Sequence, residues 1–78
     1  MECRTLRFVV TFSTTEAAME MESACREAGV PGRLLPLPRA VSAGCGLCWA
    51  APAEDRRAVE DLLVSRRLKT GGLYEIWM

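Results

Sequence analysis

The sequence predicts two helices, each of which carries a single apolar stripe. The first spans about residues 13–29 and the second residues 54 to about 69, and in both the apolar residues recur at helical spacing. A helix with one apolar stripe buries one side only, so both helices can cover the same face of a sheet. The stripe residues are Ala17, Met21, Ala24, Cys25 and Ala28 in the first helix and Ala58, Val59, Leu62 and Leu63 in the second.

The ends of the first helix have their own sequence signals. Ser13 followed by Glu16 three residues later fits a capping box, in which the two side chains bond to each other's backbone N–H groups. Gly29 is expected to end the helix, because glycine readily adopts the left-handed backbone of a C-terminal cap. Met19 and Met21 are both expected to pack in or near the core.

Four segments rich in β-branched, aromatic and leucine residues predict strands, at residues 6–12, 33–37, 47–51 and 73–77. The even positions of the first strand form an apolar face, and the third strand should place Cys48 on the opposite face from Trp49. Pro36 cannot donate a ladder hydrogen bond, so the second strand should lie at an edge. Pro52 is expected to stop the third strand, and Gly71-Gly72 to form the last turn.

The element order β-α-β-β-α-β predicts an α+β fold of the ferredoxin-like, or split βαβ, type. Right-handed crossovers would give a four-stranded antiparallel sheet of order 4-1-3-2 with both helices on one face. At 78 residues the chain is one domain, residues 1–78, with a thin core. Tyr74 and Trp77 fall on the last edge strand, where core packing is the expected role and a partner surface is the alternative.

Composition argues against several classes of function. Ten basic and ten acidic residues cancel without forming blocks of like charge, which gives no support for binding nucleic acid or a membrane surface. The chain has no His, the commonest general base and metal ligand, and its acids fall at helix caps and outer faces. We therefore expect neither a metal site, a cofactor nor a self-contained enzyme. No secretory signal or membrane span is predicted, which favours a cytoplasmic protein with reduced cysteines.

The loop between the second and third strands, residues 36–48, contains the most distinctive chemistry. Glycines on both sides of Cys45 leave its sulfur uncrowded and let backbone N–H groups converge on an anion. Arg39 in the same loop can help to keep a thiolate charged. Cys45 is therefore the candidate reactive thiol, against the alternative of a buried residue that starts a strand. The proposed ligand-binding residues are Arg39, Ser42, Gly44 and Gly46.

Cys45 and Cys48 form a C-x-x-C pair, which raises a redox interpretation. In an extended strand these residues would lie about 10 Å apart at Cα. A disulfide needs Cα atoms within about 7 Å, so the pair could close only if Gly46 bends the chain. One such pair is also too few for a usual structural zinc site. Cys25 lies on a core stripe, where packing is the simplest role.

The loop and the strand order together resemble small bacterial domains known as selenium/sulfur carrier-like proteins. The matching loop residues are Pro36, Pro38, Arg39, Ser42, Cys45 and Gly46, and the ending at residues 72–76 is also similar. The resemblance implies that Cys45 carries sulfur or selenium as a persulfide or perselenide, between donor and acceptor proteins. Arg39 and Ser42 would orient that group. Cys48 departs from the family pattern, and a second thiol could resolve a persulfide into a disulfide.

Three hypotheses remain open on the sequence alone. A carrier would depend on Cys45, a binding or regulatory module would not, and a dithiol redox protein would need both Cys45 and Cys48. Two edge strands also leave open a homodimer formed through one of them.

Overall fold

The computed structural model describes residues 5–37 and 46–77. Within them the chain forms four strands, two α-helices and a 3₁₀ turn over Ala53–Asp55 that leads into the second helix. The elements are β1 (Leu6–Thr11), α1 (Thr15–Ala28), β2 (Arg33–Pro36), β3 (Leu47–Pro52), α2 (Arg56–Ser65) and β4 (Gly72–Trp77).

The four strands form one antiparallel sheet in the order β2-β3-β1-β4. This confirms the predicted sheet order and the α+β class, with β1 and β3 in the centre. Arg7 faces Pro52 in the pairing of β1 with β3, and Leu6 faces Trp77 in the pairing of β1 with β4. Because β2 pairs only with β3 among the described residues, Pro36 ends an edge strand, as its missing N–H requires.

The main core lies between the sheet and the two helices. The even-numbered residues Phe8, Val10 and Phe12 form its floor and are at most 1% exposed. Both helices contribute to this same cluster, which places them on one face of the sheet. Their buried residues are Ala17, Ala18, Met21, Ala24 and Cys25 from α1 and Val59, Leu62 and Leu63 from α2.

The other face of the sheet carries a second, smaller apolar cluster, which we call the outer cluster. Its centre consists of Val9, Cys48 and Ala50, each at most 1% exposed. Leu35, Leu37 and Ile76 are half-buried and pack against this centre. Both faces of this sheet are therefore apolar at its middle.

The helix termini differ from the prediction. Thr14, not Ser13, caps α1, and its hydroxyl accepts a hydrogen bond from the N–H of Ala17 at 3.1 Å. The prediction of a Ser13–Glu16 capping box was therefore wrong. Three adjacent hydroxyl residues, Ser13, Thr14 and Thr15, could each cap the helix, and Thr14 is the one with the extended backbone of a cap residue. Gly29 ends the helix with φ 71°, as predicted.

The second helix is shorter at both ends than the predicted residues 54–69. Ala53–Asp55 form a 3₁₀ turn first, and α2 ends at Ser65. Arg67 then adopts φ 51°, which is incompatible with a continuing α-helix. At the strand ends, Pro52 is the last residue of β3, the strand β2 ends before Leu37, and β4 begins at Gly72.

Several residues expected to pack in the core are exposed. Met19 is 53% exposed and Trp77 65% exposed, while Ala28 and Ala58 lie outside the buried stripes. Tyr74 is also exposed, at 41%. The core prediction was wrong for these positions, because helical spacing fixes a stripe only to within a residue and β4 extends beyond the cover of the helices. Met21 is buried, as predicted, and Trp49 is buried as well.

Gly32 is the point of closest approach between the α1–β2 connection and the core. Its φ is 129°, and a Cβ there would overlap the indole of Trp49, with Cε2 at 2.7 Å and the carbonyl oxygen of Ala50 at 2.8 Å. The buried Nε1 of Trp49 has no hydrogen-bond partner among the described residues. The indole is therefore held by packing, and Gly32 is part of that packing.

We predict that Gly32→Ala lowers the free energy of unfolding more than Gly29→Ala. Both glycines have positive φ, but a Cβ at Gly29 would meet nothing within 4 Å. Gly29→Ala should cost about 1 kcal/mol for the left-handed backbone. Gly32→Ala should cost about 1–3 kcal/mol more, since it also overpacks the indole. Urea unfolding of both variants measures the difference, and equal losses would contradict the packing role of Gly32.

Candidate functional site

The two ends of the candidate loop are hydrogen-bonded to each other where they meet the sheet, and we call this point the closed base of the loop. The N–H of Leu37 donates to the carbonyl oxygen of Gly46 at 2.9 Å, and one step inward Pro36 faces Leu47 in the β2–β3 pairing. Residues 38–45 connect these two points. Arg39, Ser42, Gly44 and Cys45 belong to that segment and lie outside the described residues, so their roles stay predictions.

Gly46, directly after Cys45, bends the chain before β3. Its φ is 81°, in the left-handed region that favours glycine, and it is exposed with open space where a Cβ would be. The backbone at Gly46 is therefore not extended. The separation of about 10 Å expected for an extended Cys45–Cys48 pair rested on that assumption. Gly46 therefore departs from the extended geometry that would hold Cys45 and Cys48 apart.

Cys48 lies on the sheet face opposite the helices, as alternation along β3 predicted. Leu47, Trp49 and Ala51 pack with the main core, while the Cys48 side chain is fully buried in the outer cluster. Its Sγ donates to the carbonyl oxygen of Pro36 at 3.9 Å, a long and weak bond. The thiol therefore sits at the centre of the sheet, beside the base of the loop.

Cys25 has the properties of a packing residue. It is 1% exposed in the main core, and burial raises the pKa of its thiol to about 11. A thiolate is the nucleophilic form of cysteine, and this pKa keeps Cys25 protonated near neutral pH. The predicted packing role agrees with this environment.

The outer cluster and the bend at Gly46 are the parts of the site region that sequence reasoning missed. Cys48 faces Leu35 across the β2–β3 pairing, and Val9 faces Ala50 across the β1–β3 pairing. These residues alternate with the main-core residues on each strand, so a second apolar face was readable from the odd positions of β1 and β2 and the even positions of β3. The signal was weak because small residues fill its centre.

Other site classes have little support among residues 5–37 and 46–77. No group of three or more Cys, Asp or Glu side chains there could hold a metal ion. Two surface depressions flank α1, one lined by Glu20, Glu27 and Arg66 and the other by Glu16 and Lys69 among others. Neither depression is lined by a cysteine. In the same ranges no helix is long and apolar enough to cross a membrane.

We predict that the stability of the protein falls between about pH 9 and pH 11 through Cys25. Its thiol has a pKa of about 11 when folded and an ordinary value of 9.0, so the unfolded chain loses the proton first as pH rises. The contribution is complete below pH 9 and is lost as pH approaches 11. The urea concentration at the midpoint of unfolding should fall less steeply with rising pH for Cys25→Ala than for the parent chain. Parallel curves for the two proteins would contradict the prediction.

One comparison with known proteins identifies a family. The family described as "putative Se/S carrier protein-like" matches residues 7–75, from the second residue of β1 to Glu75 within β4. No curated protein and no solved structure gave a significant match. Since the match covers both helices, β2, β3, most of β1 and β4, and the segment between β2 and β3, the chain belongs to this selenium/sulfur carrier-like family.

Proposed function

We propose that this protein is a sulfur or selenium carrier in which Cys45 holds a persulfide or perselenide. The family match over residues 7–75 is the observation that carries the proposal. The buried states of Cys25 and Cys48 support it, because a carrier thiol must meet partner proteins and neither of these can do so in the folded state. Cys45, directly before Gly46 in the sequence, is the thiol whose sequence setting suits that task.

The transfer chemistry needs no general base in the carrier. The Cys45 thiolate attacks the outer sulfur of a persulfide on the donor protein, a new S–S bond forms, and the donor thiolate leaves with the old bond's electrons. An acceptor thiolate then attacks the outer sulfur on Cys45 in the same way and releases Cys45 as thiolate. Each step is a displacement without net oxidation, which fits a chain without His.

The residues around Cys45 have supporting roles in this proposal. Arg39 would stabilise the thiolate and the terminal sulfur or selenium, and Ser42 would orient it. Gly44 and Gly46 would leave the sulfur uncrowded, and the open space found at Gly46 supports this. The frame is a ferredoxin-like βαββαβ domain, which the sheet order supports. The partners are donor and acceptor proteins in the cytoplasm, with no resident cofactor, nucleic acid or membrane involved.

We predict that Cys45→Ser abolishes sulfur loading while Cys48→Ala largely preserves it. The protein is incubated with a cysteine desulfurase and cysteine without reductant, and intact mass with peptide mapping locates any added sulfur. The parent chain should gain the mass of one sulfur atom on Cys45, and a reductant should reverse the gain.

Cys25→Ala and Cys3→Ser are the matched controls, because each removes one thiol and leaves the loop intact. Loading that survives Cys45→Ser would contradict the proposal. If Cys45 also alkylates no faster than Cys25, a binding or regulatory module without thiol chemistry becomes the better interpretation.

A second candidate is a dithiol in which Cys48 resolves the Cys45 persulfide. The left-handed backbone at Gly46 favours it, because a bend there allows two residues three apart to approach. The Cys48 thiolate would attack the inner sulfur, form the Cys45–Cys48 disulfide and expel hydrosulfide. Since Cys48 is fully buried, this step requires local opening of the outer cluster.

We predict that a loaded protein left without an acceptor releases sulfide slowly if Cys48 resolves it. The loss of two hydrogens from the reduced mass, mapped to Cys45 and Cys48, would identify the disulfide. Cys48→Ala should then keep its sulfur for longer than the parent chain. Equal lifetimes in the two proteins would exclude the resolving role.

A further inference from the structure

Three of the five exposed large apolar side chains among the described residues lie on the edge strand β4. In that part of the chain β4 pairs with β1 alone, so its second edge has no strand beside it. Leu73 is 44% exposed, Tyr74 41% and Trp77 65%. Exposed aromatic and aliphatic side chains on a strand edge are the usual mark of an interaction surface.

The other edge of the sheet, formed by β2, has features that discourage pairing with a strand of another molecule. The strand β2 has four residues, begins with the exposed Arg33 and ends with Pro36. Short length, a charge and a proline all discourage edge pairing. By contrast β4 has six residues, no proline and one charged side chain, Glu75. That carboxylate is bound by Arg56 of the same chain at 2.6 Å.

We propose that β4 pairs with β4 of a second copy of this chain, in antiparallel orientation about a two-fold axis at Glu75. The proposal concerns the fold alone and does not rest on the carrier function. Residues directly opposite in an antiparallel pair share a sheet face, and an axis perpendicular to the sheet preserves both faces. The result is one continuous eight-stranded sheet with isologous contacts.

The sequence of β4 is complementary to itself in this register. Leu73 lies opposite Trp77 of the second copy on the helix side of the sheet, and Tyr74 lies opposite Ile76 on the other side. The symmetry forms each of these apolar pairs twice, and aromatic–aliphatic pairs across strands are stabilising. The two Glu75 side chains meet at the axis, where each carboxylate is already paired with its own Arg56.

The neighbouring register of the β4–β4 pair would be less stable, because it loses the apolar cross-strand pairs. An axis at Tyr74 would put Leu73 opposite Glu75 and Gly72 opposite Ile76, so both apolar pairs would be lost. A contact through one strand edge is small, so we expect a dimer whose population depends on protein concentration. The chain has a formal net charge of zero, so two copies carry no net repulsion.

Light scattering after size-exclusion chromatography over a dilution series tests the dimer. The parent chain should show twice the chain mass at high concentration, and Trp77→Lys should be a monomer throughout. Met19→Lys is the matched control, because Met19 is a 53% exposed apolar residue on α1, and this variant should dimerise like the parent. A parent chain that is monomeric at every concentration overturns the proposal, as does a dimer that survives Trp77→Lys.

Disulfide trapping tests the register without using the carrier chemistry. In a Cys3→Ser, Cys45→Ser background the remaining thiols, Cys25 and Cys48, are buried. Glu75→Cys should then cross-link two copies on oxidation, because the two positions face each other across the axis at about 5 Å. Tyr74→Cys should not, since its two copies would lie about 8 Å apart at Cα. Cross-linking by Tyr74→Cys instead would overturn the proposed register.

Discussion

The pairing of β1 with β3 at the centre of the sheet fixes nearly everything else in the molecule. Its register sets which side chains point toward the helices and which point away, so Phe8 and Val10 join one cluster while Val9 and Cys48 join the other. A slip of one residue would exchange the two faces of a strand. A slip of β1 would expose the aromatic floor of the main core, and a slip of β3 would move the Cys48 thiol under the helices.

Much of this arrangement was predictable because the signals were local and repeated. The alternation in β1, the proline in β2 and the Gly29 cap each predicted one feature that the structure has. The wrong prediction of the α1 cap has a physical cause, which is competition between residues that cap a helix almost equally well. Ser13 and Thr14 can both cap a helix, and it is Thr14 that has the extended cap backbone and accepts from the N–H of Ala17.

The exposure of Trp77 could not be read from the sequence. An apolar residue on a predicted strand is usually buried, and pattern alone does not say where the cover of two short helices stops. The chemistry of the candidate loop was predictable only as an inventory of residue types. What the structure adds is the closed base and the bend at Gly46, both of which depend on how β2 and β3 pair.

The hydrogen bond from Leu37 to Gly46 separates the part of the chain that must preserve the sheet register from the loop, which need not. The sheet already closes at this bond, so the eight residues beyond it can change in composition or number without altering the register of β2 and β3. Doubling the length of a loop costs only about 0.6 kcal/mol in closure entropy. Such a fold can therefore keep its scaffold constant while the sequence and the length of this loop change.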